Sequence, residues 1–206
     1  MRKILFFLLL SLLPLAGFGQ TANGAQVKQQ INAVAARMKT MQCDFVQTKN
    51  IKLLNNKMVA KGKMYYQQSD KLRWEYTTPY TYTFLLNGSK VKISKGTRND
   101  VINISQSKFF GEIARIMMNS VVGKCLTDDK DFKSSITATA TEYIATLYPQ
   151  QKQMKQMFQK VVLHISRKQS FVTTVELVEK KGDTTVIELK NVKINAAVNA
   201  SVFNVN

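Results

Sequence analysis

Residues 62–94, GKMYYQQSDKLRWEYTTPYTYTFLLNGSKVKIS, decide the fold of this chain. Apolar and polar residues alternate here with a period of two, and Asn87-Gly88 is a strong hairpin signal, so the stretch predicts three or four antiparallel strands. One face collects apolar and aromatic side chains, whereas Arg73 and Glu75 lie on the other. An antiparallel sheet can expose only one face to water in this pattern, so another part of the chain must cover the aromatic face.

The rest of the chain predicts a mainly β protein with about ten or eleven strands in total. Further strands are expected at residues 41–53, 101–104, 135–140, 142–148, 159–166, 171–180 and 184–190, with 192–194 as an added edge. So many short strands rarely stay flat, which favours a single curved antiparallel sheet. A helix over residues 25–38 carries an apolar stripe that would pack on this sheet, and a short helix is predicted to begin at Pro149.

A second main helix is predicted over residues 107–119, with apolar residues at the spacing i, i+1, i+4, i+7 and i+8. The stripe consists of Phe109, Phe110, Ile113, Ile116 and Met117. This spacing is typical of a helix fixed on the core. The two adjacent phenylalanines and the Ser- and Asn-rich flanks also fit a movable lid over the aromatic face, and the sequence leaves both interpretations open.

The first 19 residues have the features of a secretory signal peptide. Arg2 and Lys3 precede a short apolar run, and small residues occur at Gly17 and Gly19, where cleavage is expected. The remaining residues, 20–206, are then an exported single domain of about 187 residues. The formal net charge of +17 would fall by two with the signal.

Lysines supply most of the positive charge, and many alternate with apolar residues on predicted strands. A solvated sheet face accounts for this pattern, with attraction to anionic membrane surfaces or acidic partners as the alternative. There is no arginine-rich block, which argues against nucleic acid as a partner. Cys43 and Cys125 are the only cysteines; in an exported protein such a pair favours a disulfide, with two buried thiols as the alternative.

No sequence motif indicates catalysis. The single histidine, His164, lies on a predicted strand between two apolar residues and is expected to be structural. A nucleophile elbow, a zinc motif and a phosphate-binding glycine loop are all missing from the sequence. Asp128, Asp129 and Asp131 lack the glycine and the terminal glutamate of a calcium loop. We therefore predict a protein that is not an enzyme and uses no cofactor and no metal.

The motifs CDFVQTK (43–49), GKMYYQ (62–67), DKLRWEY (70–76), TPY (78–80) and NGSKV (87–91) occur in an order that resembles the periplasmic outer-membrane lipoprotein carrier (LolA-like) family. The resemblance continues through the N-terminal helix and the late strands, and so covers nearly the whole mature chain. It implies an unclosed half-barrel of about eleven strands with helices over its concave face. It also implies that acyl chains of lipoproteins enter between sheet and lid.

Individual residues carry the resemblance further. Trp74 matches the family's tryptophan, and Phe45 and Gln47 match its first-strand F-x-Q motif. The best-known members carry an arginine that holds the lid closed, and Gln68 stands at that position here. The resemblance and the strand faces together predict a cargo cavity lined by Phe45, Met64, Tyr66, Leu72, Trp74, Tyr76, Tyr82 and Phe84.

The function implied by this resemblance is that of a periplasmic carrier of acylated lipoproteins. It would act as a monomer, take cargo from an inner-membrane release complex and deliver it to an outer-membrane acceptor that the sequence does not identify. An alternative is a sensor or adaptor that uses the same half-barrel to bind another lipid or a protein segment, without transport.

Overall fold

The structure, a computed structural model, is built around one sheet of eleven antiparallel strands. It describes residues 24–106, 115, 116, 118–120, 122–126 and 130–205, so the predicted signal peptide lies outside the described residues. The strands are β1 (Thr40–Ile51), β2 (Asn56–Gln67), β3 (Lys71–Thr78), β4 (Tyr82–Asn87), β5 (Lys90–Lys95), β6 (Arg98–Asn103), β7 (Phe132–Ala138), β8 (Glu142–Pro149), β9 (Phe158–Ser166), β10 (Val172–Glu179) and β11 (Thr184–Ile194). Their order across the sheet is β6-β5-β4-β3-β2-β1-β11-β10-β9-β8-β7, with β6 and β7 as unpaired edges. The predicted open, mainly antiparallel half-barrel is confirmed.

The sheet consists of two meanders that meet between β1 and β11. The first runs from β1 to β6 and contains the stretch 62–94, and the second runs from β7 to β11. Neighbouring strands within each meander pair because short turns join them. Since β6 and β7 lie at opposite edges, the connection between the two meanders has to cross the sheet.

Two hydrophobic clusters lie on one face of the sheet, which we call the concave face. The first cluster contains Met41, Cys43, Phe45, Met64, Tyr66, Leu72, Trp74, Phe84, Leu86, Val91 and Leu189 of the sheet. The second cluster contains Phe132, Tyr143, Ala145, Leu147, Val161, Leu163, Ile165 and Val172. Each cluster therefore belongs mainly to one meander.

Helix α1 (Gly24–Arg37) covers both clusters, as its apolar stripe predicts. Val27 and Ile31 are buried in the second cluster, whereas Ala35 and Met38, just beyond the helix end, are buried in the first. A single helix thus spans the junction between the two meanders.

The connection from β6 to β7 also contributes to the cover. Within its described part, Met118 and Val122 pack on the first cluster, and Cys125 and Leu126 are buried in the second. The helical residues in this segment end at Gly123, where the positive φ of 79° is the left-handed conformation that favours glycine. We call α1 together with the described residues between 115 and 126 the cover.

The C-terminal residues pack on the opposite, convex face. The 3₁₀ turn Ala200–Phe203 contacts β3 and β4, and Phe203 and Leu85 are both almost fully buried. Asn87 Nδ2 donates to the Phe203 carbonyl at 2.9 Å, and Arg73 donates to the Val202 carbonyl at 3.4 Å. The face predicted to be charged therefore includes a small covered apolar site.

Two elements differ from the sequence-based predictions. Pro149 ends β8 instead of beginning a helix, and the short helix α2 (Lys152–Met157) starts three residues later; a proline at a strand end loses no necessary ladder bond. Residues 192–194 are not an added edge but the end of β11, paired with β1. A bulge opposite Cys43, with Asn191 at a φ of 53°, interrupts the alternation there.

Candidate functional site

An aromatic cluster occupies the centre of the concave face. Phe45 stacks on Trp74 with ring centroids 4.5 Å apart, and the edge of Tyr76 meets Phe45 at 5.2 Å. Tyr80 and Tyr82 continue the cluster at 5.6 Å and 6.0 Å from Tyr76. Aromatic rings at such distances pack with favourable edge and offset contacts in addition to burial.

The structure brings together all eight residues predicted to line the cavity. They are Phe45, Met64, Tyr66, Leu72, Trp74, Tyr76, Tyr82 and Phe84, and all belong to the first cluster or pack against it. Strand register explains the gathering, because Met64 is paired with Trp74 and Trp74 with Phe84. Directly opposed residues of antiparallel strands share a face.

The first-strand F-x-Q motif has a clear role in this cluster. Phe45 and Gln47 lie on the same face of β1, and the Tyr76 hydroxyl donates to Gln47 Oε1 at 2.8 Å. Burial raises the pKa of Tyr76 above its ordinary value, which keeps this hydroxyl protonated and able to donate. The bond thus satisfies a phenol that is otherwise surrounded by rings.

Gly62 was not predicted to have a special role, yet it makes the stacking possible. It is paired with Phe45, and a Cβ at this position would lie 2.5 Å from Phe45 Cζ and 1.9 Å from the Glu75 carbonyl oxygen. A β-bulge between Lys61 and Gly62 brings β3 this close. A glycine inside an alternating strand is the sequence signal for such an approach.

A cavity of about 220 Å³ adjoins the aromatic cluster at the end of the sheet where β1 and β2 are joined. Its lining consists of Gln47, Lys49, Met58, Val59, Ala60, Pro79 and Tyr80. Most of the eight predicted residues are buried against the cover, and none of them lines this cavity. The volume is below the roughly 300–1,000 Å³ of ordinary ligand pockets. The site is therefore a packed cluster with a small opening beside it.

Side-chain polar contacts link the cover to the sheet and its turns. Gln30 Nε2 of α1 donates to Ser170 Oγ, in the turn between β9 and β10, at 3.0 Å. Gln68, in the turn between β2 and β3, donates from Nε2 to the Ala36 carbonyl of α1 at 3.5 Å. Arg115 forms a two-pronged ion pair with the buried Asp131, with Nη2 2.9 Å from Oδ1. Such a bidentate pair fixes the segment 115–126 to the start of β7.

The predicted lid stripe falls largely outside the described residues. This applies to Phe109, Phe110, Ile113 and Met117. Ile116 is described, and it packs against the second cluster.

The predicted disulfide is absent: Cys43 and Cys125 are both buried free thiols. Cys43 belongs to the first cluster and Cys125 to the second, so the two thiols are buried in separate parts of the core and are not bonded to each other. Burial raises the pKa of each thiol to about 12, with the Asp44 charge adding to the effect at Cys43. The alternative of two buried thiols is correct.

His164 lies on the convex side of β9, away from the aromatic cluster. Its Nδ1 is 3.1 Å from Glu142 Oε2, and its Nε2 is 3.1 Å from Glu176 Oε1. The ring therefore links three neighbouring strands. Within the part of the chain that the structure describes, no group of three or more His, Cys, Asp or Glu side chains is arranged to hold a metal ion. No helix among the same residues is long and apolar enough to cross a membrane.

Comparison with known proteins identifies relatives over most of the chain. A family model described as "Outer membrane lipoprotein carrier protein LolA" matches residues 36–206. An outer-membrane lipoprotein carrier protein of Legionella pneumophila (strain Lens) is 27% identical over 205 residues, covering 98% of this chain and 94% of the relative.

Solved structures show the same fold. A DUF1329 family protein from Desulfovibrio piger ATCC 29098 superposes with a TM-score of 0.52 at 12% identity, covering 88% of this chain and 95% of the other. The complex of MucA and MucB from Pseudomonas aeruginosa gives a TM-score of 0.52 at 12% identity, over 87% of this chain and 60% of the matched one. At such low identity these likenesses concern the fold alone.

Proposed function

Since this chain belongs to the LolA family of outer membrane lipoprotein carrier proteins, we propose that it carries lipoproteins in the periplasm and shields their acyl chains on its concave face. The observation that carries the proposal is the aromatic first cluster, which a helix and a chain crossing cover instead of a second sheet. Binding of cargo would replace the contacts of the cover with contacts of the acyl chain.

The free energies favour a mechanism in which the acyl chain displaces the side chains of the cover, over one in which it fills a cavity that is already open. Each buried methylene contributes roughly 0.8 kcal/mol, so an acyl chain of about sixteen carbons is strongly driven out of water. Val122 of the cover and Met38, which follows α1, are buried on the concave face, and side chains of this size contribute about 1.5–3 kcal/mol each. Displacing them offsets part of the cargo's binding free energy. Cargo is then held without becoming impossible to release.

The cover has to move for this exchange, because the cavity of about 220 Å³ is small for an acyl chain. We propose that residues 107–119, with Phe109, Phe110, Ile113, Ile116 and Met117, form the lid that opens. The described residues between 118 and 126 would be the end at which this lid is attached. The cavity beside Tyr76 would be the place where opening begins.

The proposed route of the cargo follows from the family. Lipoproteins would be received from an inner-membrane release complex and passed to an outer-membrane acceptor. Signal cleavage after Gly19 would place the chain, as a monomeric domain of residues 20–206, in the periplasm.

Trp74 provides a direct test, because it is the single tryptophan and stacks on Phe45. Titration with an acylated peptide should change its fluorescence, whereas the same peptide without the acyl chain should not. A spectrum that stays unchanged at saturating ligand would contradict binding at the aromatic cluster. Mass spectrometry after gentle periplasmic extraction should find lipoproteins bound.

Movement of the cover is tested by locking α1 to the turn between β2 and β3. Ala36 and Gln68 are exposed neighbours across this junction, so the double variant Ala36→Cys/Gln68→Cys can be joined with a short cleavable thiol cross-linker. The native cysteines are buried and should not react. The locked protein should fold but fail to load acylated peptide, and cleavage of the linker should restore loading. Equal loading by locked and unlocked protein would show that α1 does not move during loading and would leave residues 107–119 as the only moving part of the proposal.

A second candidate is a sensor or adaptor of the same fold. It is favoured by the likeness to MucB, which is seen in complex with MucA. The same extraction distinguishes the two functions, because an adaptor would retain free lipid or one protein partner in place of several lipoproteins.

A further inference from the structure

Four segments that connect strands meet at one end of the sheet, and we call this end the rim. It consists of residues 49–59, 79–81, 152–157 and 179–184. The Lys52 amide donates to Asp183 Oδ1 at 3.0 Å, and the Lys180 amide donates to the Met157 carbonyl at 3.0 Å. Tyr80 and Met58 line the same cavity. The four segments therefore form one continuous surface.

Exposed apolar side chains are concentrated on this rim. Leu53 is 92% exposed and Leu54 is 66% exposed, side by side in the 3₁₀ turn between β1 and β2. Of the eight large apolar side chains that are exposed in the described parts of the chain, six lie in the rim. These six are Leu53, Leu54, Met58, Val59, Tyr80 and Met157. A grouping of this kind marks an interaction surface more often than scattered single residues do.

The rim is also basic. Its four segments hold seven lysines and two carboxylates, a formal excess of five positive charges. The carboxylates are already engaged, because Glu179 pairs with Lys49 at 2.9 Å and Asp183 accepts the Lys52 amide. Exposed leucines surrounded by lysines combine two features that favour the boundary of an anionic bilayer.

We propose that the rim docks on the surface of an anionic phospholipid membrane, with Leu53 and Leu54 inserted among the headgroups and the surrounding lysines facing lipid phosphates. The choice of lipid over a protein partner follows from the cations. All seven are lysines, which are depleted in protein interfaces, whereas arginine, the cation enriched there, does not occur in these segments.

Docking at the rim would place the small cavity against the membrane, since Met58 and Tyr80 belong to both. The biological purpose of the docking rests on the proposed carrier function: an acyl chain could pass between bilayer and concave face without crossing water. The docking itself needs no cargo, and it can be measured on the empty protein.

The test is co-sedimentation of the mature protein with vesicles of equal parts phosphatidylglycerol and phosphatidylcholine, compared with phosphatidylcholine alone. We expect binding to the anionic vesicles only, and a loss of about tenfold or more in Leu53→Ser/Leu54→Ser. The matched control is Val101→Ser, which changes an exposed apolar residue of β6 outside the rim and should bind normally.

The role of the rim lysines is tested with two double variants that have the same net charge as each other. Lys52→Gln/Lys57→Gln should bind about tenfold more weakly, whereas Lys39→Gln/Lys90→Gln, which removes two exposed lysines outside the rim, should bind as the wild type does. Unchanged circular dichroism and melting temperature establish that the variants fold. Binding of the wild type should also weaken with salt, which needs no variant.

The proposal is overturned if the wild-type protein does not bind anionic vesicles. That result would point to a protein partner for the rim. Equal binding by wild type and the leucine variant would overturn it too. Failure of the docking is separable from failure of the carrier function, because Leu53 and Leu54 do not line the cavity. Their variant should still change Trp74 fluorescence with soluble acylated peptide.

Discussion

Among the glycines that the structure describes, Gly62 leaves the least space for a side chain. The nearest obstacle to a Cβ is the backbone carbonyl of Glu75, which cannot turn away as a side chain could, and the ring of Phe45 blocks the remaining space. The aromatic stacking of the concave face therefore depends on a position that has no side chain.

Gly62→Ala should lower the free energy of unfolding by more than the roughly 1–3 kcal/mol of ordinary overpacking, because β3 itself must shift. Chemical denaturation measures the change, and the near-ultraviolet signal of Trp74 should be altered. Gly24→Ala is the control, since nothing lies within 4 Å of a Cβ there. Equal stability of the two variants would show that β3 does not approach so closely.

The two cysteine thiols should react with a thiol reagent only after the protein unfolds. Because Cys43 and Cys125 are free and buried, a thiol reagent should label neither in the native protein and both in unfolded protein that was never reduced. Protein that shows no free thiol after unfolding would mean that a disulfide forms after all.

The thiol pKa values also predict the response to alkali. Their value is about 12 in the folded protein against 9.0 for an unperturbed thiol, so the unfolded state loses these protons first. This contribution to stability is complete below about pH 9 and is lost as the pH rises towards 12. Denaturation midpoints should therefore fall between pH 9 and 12. They should fall less steeply in Cys43→Ala/Cys125→Ala, and parallel curves would contradict the shift.

Among the elements, the cover differs from the sheet in how it is held. The strands are joined by continuous ladders of backbone hydrogen bonds, whereas the cover is held by apolar contacts and by side-chain bonds such as Gln30–Ser170, Gln68–Ala36 and the Arg115–Asp131 pair. An element with few such bonds opens at a lower free energy than the core. The ion pair is the strongest of these contacts because the Asp131 side chain is only 8% exposed.

Arg115→Gln should destabilise the protein by roughly 2 kcal/mol, less than the 3–5 kcal/mol of a fully buried pair because the Arg115 side chain is 38% exposed. If this pair helps to hold the cover closed, acylated peptide should also bind faster. Arg98→Gln is a matched control: it removes an arginine from the two-pronged pair with Asp100, which is largely exposed and should contribute under about 1 kcal/mol. Equal effects of the two changes would exclude a special role for Arg115.

The two faces of the sheet are covered by different parts of the chain. The concave face carries the aromatic cluster and the cover, whereas the convex face carries the C-terminal turn with Phe203. Phe84 and Phe203 are both buried aromatic residues, one on each face. They permit a direct comparison.

Phe84→Ala and Phe203→Ala should each cost about 3–5 kcal/mol of stability, because both leave a cavity in well-packed surroundings. Only Phe84→Ala should change the affinity for acylated peptide. Denaturation and Trp74 fluorescence measure the two quantities on the same samples. An equal change of affinity in both variants would mean that cargo does not bind on the concave face.

Local patterns in the sequence predicted most of the strands, the helix α1 and the apolar face of each. Alternation in residues 62–94 identified the aromatic face, the helical stripe identified α1, and Asn87-Gly88 marked a hairpin. These features are local, because strand and helix periods act within a few residues. The strand faces and the family resemblance together predicted eight concave residues, and the structure places all of them in or against the first cluster.

Contacts between segments that are distant in the sequence became visible only in the folded chain. The pairing of β1 with β11, the separate burial of Cys43 and Cys125, and the packing of the turn Ala200–Phe203 on β3 and β4 all involve residues far apart in the chain. The same holds for the rim, where Lys52 meets Asp183 and Lys180 meets Met157. Periodicity states which side of an element is apolar, but which neighbour buries that side is fixed by the packing of the whole chain.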